Sequence, residues 1–211
     1  MPNTYTQISI QAVFAVQGRK NFISNTWRDV LHQYIAGIIR KEATVLAVGG
    51  WKDHVHIFFG LPPNLRISDL IQKTKANSSR WINEQKFVGG KFQWQEVYGA
   101  FSYSKSHRDS VIKYIVNQER HHKDCNFQQE YLDILSRFQI TYDPKYMFEF
   151  YDWIHRQFVF RVSPNLEPLK PYTTSINCRP YRTRLIVSSV LPGTVVPMGL
   201  VAKWHPVRPT T

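Results

Sequence analysis

Two short stretches of this chain combine residue types that can do chemistry. The first is Trp51-Lys52-Asp53-His54-Val55-His56-Ile57-Phe58-Phe59, where two histidines flank one apolar residue. Side chains alternate faces along a strand, so His54 and His56 point one way and Val55 the other. Two imidazoles side by side among apolar neighbours make half of a metal site, although the same pattern also reads as a polar sheet edge. Asp53 adjoins His54, but the alternation puts it on the opposite face and argues against its orienting that ring. The second stretch runs from Val111 to His122 and contains Tyr114 and Gln118, which share a helical face one turn apart. Taken alone, Tyr114 is equally a core aromatic and Gln118 its solvated neighbour. His121 and His122 read as polar helix-end residues, favoured there by the helix dipole when charged.

The elements that must position these residues follow from periodicity. Gln7 to Val16 reads as a strand, with Ile8, Ile10, Ala12 and Phe14 on one face. Asn25 is placed to cap a helix from about Thr26 to Lys41, whose Trp27, Val30, Leu31, Tyr34, Ile35, Ile38 and Ile39 recur at helical spacing. Ala43 to Val48 and His54 to Leu61 read as an antiparallel pair joined across Gly49-Gly50, the second strand stopped by Pro62-Pro63. Ser68 is placed to cap a second helix to about Gln85, and Phe92 to Ser104 reads as a long aromatic strand. Ser106 begins a third helix, and a fourth covers about Phe127 to Phe138. The order strand, helix, strand, strand, helix, strand predicts an α+β, ferredoxin-like split βαβ sandwich with an antiparallel sheet and appended C-terminal helices.

Composition bounds the partners. Of 211 residues, 43% are hydrophobic and 14% aromatic, enough for one well-packed domain. A net charge of +12 favours a polyanion, with nucleic acid first. Two cysteines without CxxC spacing indicate neither a disulfide framework nor a zinc cluster, which suits a reducing cytoplasm. No signal peptide and no apolar run of membrane-spanning length is visible. After about Glu149 the composition shifts: residues 151–211 hold eight of the twelve prolines and half the net charge. The expected division is a domain over 1–149 and a basic, Pro-rich extension over 150–211, with strand-like patterns only at 157–162 and 184–191.

The combination of a His-hydrophobe-His strand, a ferredoxin-like order, a basic charge and a Tyr-x-x-x-Gln helix resembles the HUH single-tyrosine transposases of small bacterial insertion sequences and the related REP-associated tyrosine transposases. The flanking text is similar too: Trp94-Gln95-Glu96-Val97-Tyr98-Gly99-Ala100-Phe101-Ser102, then Phe127-Gln128-Gln129-Glu130-Tyr131, then Tyr142-Asp143-Pro144-Lys145-Tyr146. The resemblance covers about residues 4–149 and stops before the extension. It implies a single-strand DNA endonuclease and strand transferase, acting at hairpin-marked ends through a 5′-phosphotyrosine intermediate. Carried over by position, His54, His56 and Gln118 are the ligands of a divalent metal, Mg²⁺ or Mn²⁺, and Tyr114 is the nucleophile. A phenol of pKa about 10 attacks poorly at neutral pH, and a cation that polarises the phosphate answers that need. The resemblance also implies a homodimer, with the tyrosine helix serving its own or the partner's site.

For the single-stranded hairpin DNA itself, Lys73, Lys75, Arg80 and Lys105 are candidate phosphate contacts, and Trp81, Trp94 and Tyr103 candidate stacking platforms. Each also reads as solvated helix face or core. Two other classes compete. A histidine-triad phosphoryl transferase requires His-x-His-x-His, and Phe58 breaks it. A non-catalytic or domesticated single-strand nucleic-acid-binding protein on the same fold leaves the paired histidines and Tyr-x-x-x-Gln without a reason.

Overall fold

The computed structural model describes residues 5–18 and 23–150; the expected extension and its two strand-like patterns lie outside them. Four strands, β1 (Ser9–Ala15), β2 (Thr44–Gly50), β3 (His54–Gly60) and β4 (Gly99–Tyr103), form one sheet in the order β2-β3-β1-β4. Every pairing is antiparallel. Helix α1 (Arg28–Arg40) connects β1 to β2, and α2 (Ile67–Glu84) connects β3 to β4. This is the ferredoxin-like sandwich that the element order predicts.

The sheet is covered on both sides, which explains why all seven residues of β1 are buried. On one face, Ile10, Ala12, Phe14, Val55, Ile57 and Phe59 meet Leu31, Ile35 and Ile39 of α1 and Leu70, Ile71 and Ile82 of α2. The alternate residues face the other way, where α3 (Arg108–Val116), α4 (Gln118–His121) and α5 (Phe127–Arg137) follow β4. There Val13, Ala15 and Phe101 pack on Phe127, Tyr131, Ile134 and Leu135 of α5. Phe58 packs on Val111, Tyr114 and Ile115 of α3. His54 and His56 share the Phe58 face, so the appended helices build the second wall of whatever the histidines do.

Several boundaries differ from expectation for local reasons. Helix α1 starts at Arg28; Asn25 accepts from the Arg28 guanidinium (3.1 Å) instead of capping. Ser68 lies inside the first turn of α2, which begins one residue earlier, and its hydroxyl donates to Asp69 (3.1 Å). The aromatic run 92–104 yields only the short β4. Its first part is held by a side chain: Asn83 accepts from the Phe92 amide (2.7 Å) and donates to the Phe92 carbonyl (3.0 Å). A single bridge, Val16 to Trp94, is all the pairing it makes. A short 3₁₀ turn, Lys105–His107, precedes α3. The expected single tyrosine helix breaks at Asn117 (φ −94°, ψ 21°), leaving Tyr114 on α3 and Gln118 on α4. Helix α5 starts where Asn126 accepts from the Gln129 amide (2.8 Å), an N-cap that ends the preceding turn.

Helix α3 comes unusually close to β2. A Cβ on Gly49 would sit 2.2 Å from the Ile115 carbonyl oxygen, so only glycine admits the helix backbone at this distance. Among the described residues, no helix is long and apolar enough to cross a membrane.

Candidate active site: a histidine cluster around Glu130

His54 opens β3 and His56 follows on the same face, both wholly buried. Each ring is held at Nδ1 by a buried partner, Asp53 Oδ1 at 2.8 Å for His54 and Gln11 Nε2 at 2.9 Å for His56. The Asp53 contact corrects the expectation from alternation. Strand β3 begins at His54, so Asp53 belongs to the turn before it and need not point to the opposite face. Phe127 stacks on the His54 ring, with centroids 4.2 Å apart and planes 10° from parallel.

The other wall brings Tyr114, Gln118, His121, His122 and Glu130 to these rings. Glu130 is fully buried on the inner face of α5. One oxygen, Oε1, accepts from the Tyr114 hydroxyl and from Gln118 Nε2 (2.9 Å), and lies 3.3 Å from His56 Nε2. The other, Oε2, lies 3.3 Å from His54 Nε2 and 3.2 Å from His122 Nε2. His122 is therefore no solvated helix end. Its Nδ1 donates to the Cys125 carbonyl (2.8 Å), which turns Nε2 inward to 3.1 Å from His54 Nε2 and 2.9 Å from Gln118 Oε1. Gln118 Oε1 is 3.4 Å from His54 Nε2. The chain thus joins all four residues of the expected site, Tyr114, His54, His56 and Gln118, and adds Glu130, His122, Asp53 and Gln11.

Sequence offered one usable sign of Glu130. Phe127, Tyr131, Ile134 and Leu135 define the buried stripe of α5, and Glu130 falls within it. A carboxylate on an apolar stripe needs a buried partner. Gln11, in mid-strand among apolar residues, carried the same kind of sign.

Burial and charge work against each other here. Burial lowers the His54 pKa, but hydrogen bonds and charge from Asp53 and Glu130 outweigh it and lift the pKa to about 10. Burial raises Glu130, but His56 and His54 pull its pKa down to about 2. Burial also dominates at His56, which is lowered despite Glu130. His121 is lowered to about 4 and His122 to about 2, by burial first and then by neighbouring histidines. His54 is thus favoured as an imidazolium beside Asp53 and Glu130, while His56, His121 and His122 are held towards their neutral forms.

A divalent ion suits this donor set. Donor atoms sharing a small divalent ion, each about 2.1 Å from it, lie about 3 Å from one another. His54 Nε2, His122 Nε2 and Glu130 Oε2 are separated by 3.1, 3.2 and 3.3 Å. Glu130 Oε2 and His56 Nε2 make no hydrogen bond of good geometry although buried. Gln118 Oε1 adds a neutral oxygen on the same side.

The expected DNA contacts fare differently. Lys75 is committed to structure, its ammonium donating to the carbonyls of Gln95 (2.8 Å), Glu96 (2.9 Å) and Val97 (2.9 Å). Trp94 is a core residue, 6% exposed, with its indole N–H donating to Ser78 (2.9 Å). Lys73 pairs with Glu42 and Arg80 donates to Asn77 (2.7 Å), both at the surface. Lys105 is exposed beside the 3₁₀ turn. Trp81 stacks on Tyr34 (4.5 Å), and Tyr103 packs against Phe58 and Phe138, so both rings already have aromatic neighbours. The long run 92–104 suggested stacking platforms because aromatic content alone does not reveal which rings the Asn83 anchor turns inward.

The family model described as "Transposase IS200 like" matches residues 4–118. No curated protein matches the chain. Among solved structures, a candidate transposase from Deinococcus radiodurans R1 is similar at 22% identity, covering 56% of this chain and 95% of its own, with a TM-score of 0.43. A REP-associated tyrosine transposase bound to a REP hairpin is similar at 14% identity, covering 58% of this chain and 73% of its own, with a TM-score of 0.44.

Proposed function

Because the match spans more than half of its length, the chain belongs to the IS200-like transposase family, and we propose that it cleaves and rejoins single-stranded DNA at hairpin-marked ends with Tyr114 as nucleophile. The observation that carries this reading is the Tyr114 hydroxyl, hydrogen-bonded to a carboxylate inside a cluster of imidazole nitrogens spaced as metal ligands are.

In this reading the Tyr114 oxygen attacks the scissile phosphorus, and its proton passes to the Glu130 cluster. The bond to the 3′ oxygen breaks, that oxygen leaves protonated, and the 5′ phosphate remains on Tyr114. Attack by a 3′ hydroxyl on the same phosphorus reverses the step, so rejoining uses the stored phosphodiester and no ATP. His54, His122 and Glu130, with Gln118 beside them and His56 in reach, would hold a divalent ion, Mg²⁺ or Mn²⁺. When bound it supplies positive charge to the phosphate oxygens. His54 and Asp53 then act as ligand and orienter, the carboxylate fixing the ring through Nδ1.

The expected assembly is a homodimer working in the cytoplasm on the nucleoid. Tyr114 lies beside the histidines of its own chain, and in this reading each protomer uses its own site. Exposed Lys73, Arg80 and Lys105 remain proposed phosphate contacts.

The test uses single strands from both flanks of the protein's own gene with Mn²⁺, read on a denaturing gel with binding followed in parallel. A covalent adduct is expected with wild type and none with Tyr114→Phe, whose binding should stay within about twofold because only one oxygen is lost. Specific binding by wild type without an adduct would favour a non-catalytic DNA-binding protein.

A further inference from the structure

His54 and His56 look equivalent in sequence, yet their Nδ1 atoms meet partners of opposite kind. Asp53 offers a carboxylate, which only accepts; Gln11 presents its amide nitrogen, which only donates. We propose that Gln11 is a positioning residue that selects the ring tautomer of His56, and with it the role His56 plays in the site. The proposal deepens the metal-site reading above and rests on it for its consequence, not for its geometry.

An amide N–H donating to Nδ1 at 2.9 Å leaves the ring proton on Nε2. That atom is 3.3 Å from Glu130 Oε1, the oxygen that also receives the Tyr114 hydroxyl and Gln118 Nε2. In this tautomer the proton on His56 Nε2 faces Glu130 Oε1 without completing a hydrogen bond of good geometry, and Oε2 faces His54 and His122. His56 cannot at the same time offer Nε2 to a cation. His54 is the reverse case: Asp53 keeps a proton on Nδ1, so the proton that a cation would displace is the one on Nε2, facing the cluster.

The amide is free to change this. Gln11 is wholly buried, and its Oε1 has no hydrogen-bond partner. A half-turn about the last side-chain torsion, whose profile is roughly two-fold, exchanges the amide nitrogen and oxygen. The ring proton leaves Nε2 and another is taken up at Nδ1 by exchange with solvent, so one hydrogen bond is broken and one formed: Gln11 Oε1 now accepts from His56 Nδ1–H, and His56 Nε2 presents a lone pair. Gln11 therefore permits two states of His56, protonated at Nε2 in the metal-free site and a ligand in the loaded one. A glutamate at this position would hold the second state permanently, and an apolar residue would enforce neither.

The experiment compares wild type, Gln11→Glu and Gln11→Met by nitrogen NMR of the His56 ring without metal, and by Mn²⁺ titration followed by electron paramagnetic resonance. Wild type should carry its proton on Nε2, Gln11→Glu on Nδ1, and Gln11→Met a mixture. The glutamate variant should bind Mn²⁺ about tenfold more tightly. A proton on Nδ1 in metal-free wild type, or one tautomer shared by all folded proteins, would overturn the assignment. If Gln11→Glu fails to fold, wild type against Gln11→Met decides it. Tautomers that follow the expected pattern in a protein that binds no Mn²⁺ would uphold Gln11 and sink the metal reading instead.

Discussion

The two oxygens of Glu130 divide the site between them, one turned to the Tyr114 hydroxyl and the other to the nitrogens of His54 and His122. This division makes the proton on His54 a competitor of any cation. With a pKa of about 10, His54 is protonated at neutral pH, and an ion reaching Nε2 must displace that proton. Mn²⁺ affinity should therefore rise about tenfold per pH unit from neutrality towards pH 10, and a flat titration series would contradict the charge state of His54. Stability of the metal-free protein runs the other way. A raised histidine contributes fully below its ordinary 6.5, and the contribution fades as pH climbs to about 10. Glu130, lowered to about 2, contributes above 4.5 and loses it only as pH falls towards 2. Melting temperature without metal should fall between neutral and alkaline pH, while Mn²⁺ should stabilise more strongly there. The paired histidines, Tyr114 and Gln118 were legible as residues because their spacing matches the geometry of a strand and a helix. Asp53 and His122 were not, because a turn and a carbonyl contact place them, and Glu130 showed only as a carboxylate on the buried stripe of α5, with no sign of its partners.

At the scale of elements, the position of the nucleophile depends on how closely α3 approaches β2. Gly49 leaves no room for a methyl against the Ile115 carbonyl, one residue from Tyr114. Gly49→Ala should cost about 1–3 kcal/mol by overpacking and displace α3 outward. Thermal melting would measure the first effect. Cleavage should fall by 10²-fold or so, since a shift of about 1 Å at a reacting group costs that much. Retained cleavage in a destabilised protein would show that Tyr114 is not positioned through this contact. Strand and helix identities and the antiparallel pairing of β2 with β3 were readable from apolar periodicity, but Gly49 and Gly50, expected to join the strands, extend β2 and leave the turn to 51–53. The shortness of β4 was not, since the Asn83 side chain replaces ladder pairing before it with bonds of its own. Nor was the break at Asn117, where periodicity continues although the helix does not.

Across the whole molecule, Tyr114 and the histidines meet within one chain. Mixing His56→Ala with Tyr114→Phe should therefore restore no covalent adduct, because no protomer then holds both groups. Recovery of about a quarter of wild-type adduct, the share expected from random pairing of helix and histidines, would place the tyrosine helix in the partner's site. The two-layered α+β core was visible in the order of elements, and the family in that order joined to the His-x-His and Tyr-x-x-x-Gln motifs. The third layer was anticipated only as appended helices, and it is this layer that completes the site.

The described chain ends in a firm attachment. Gln95 exchanges two hydrogen bonds with the backbone of Glu149, at 2.9 and 2.8 Å, as a neighbouring strand would. The next residue, Phe150, rests on Phe127 with centroids 5.5 Å apart, and Phe127 lies flat on His54. Phe150 is thus linked through the Phe127 ring to the imidazole in the site. Close-packed rings pass on displacement because they leave no slack to absorb it. Phe150→Ala should therefore shift the nitrogen resonances of the His54 ring through Phe127, and unchanged resonances would show that Phe127 holds the ring unaided.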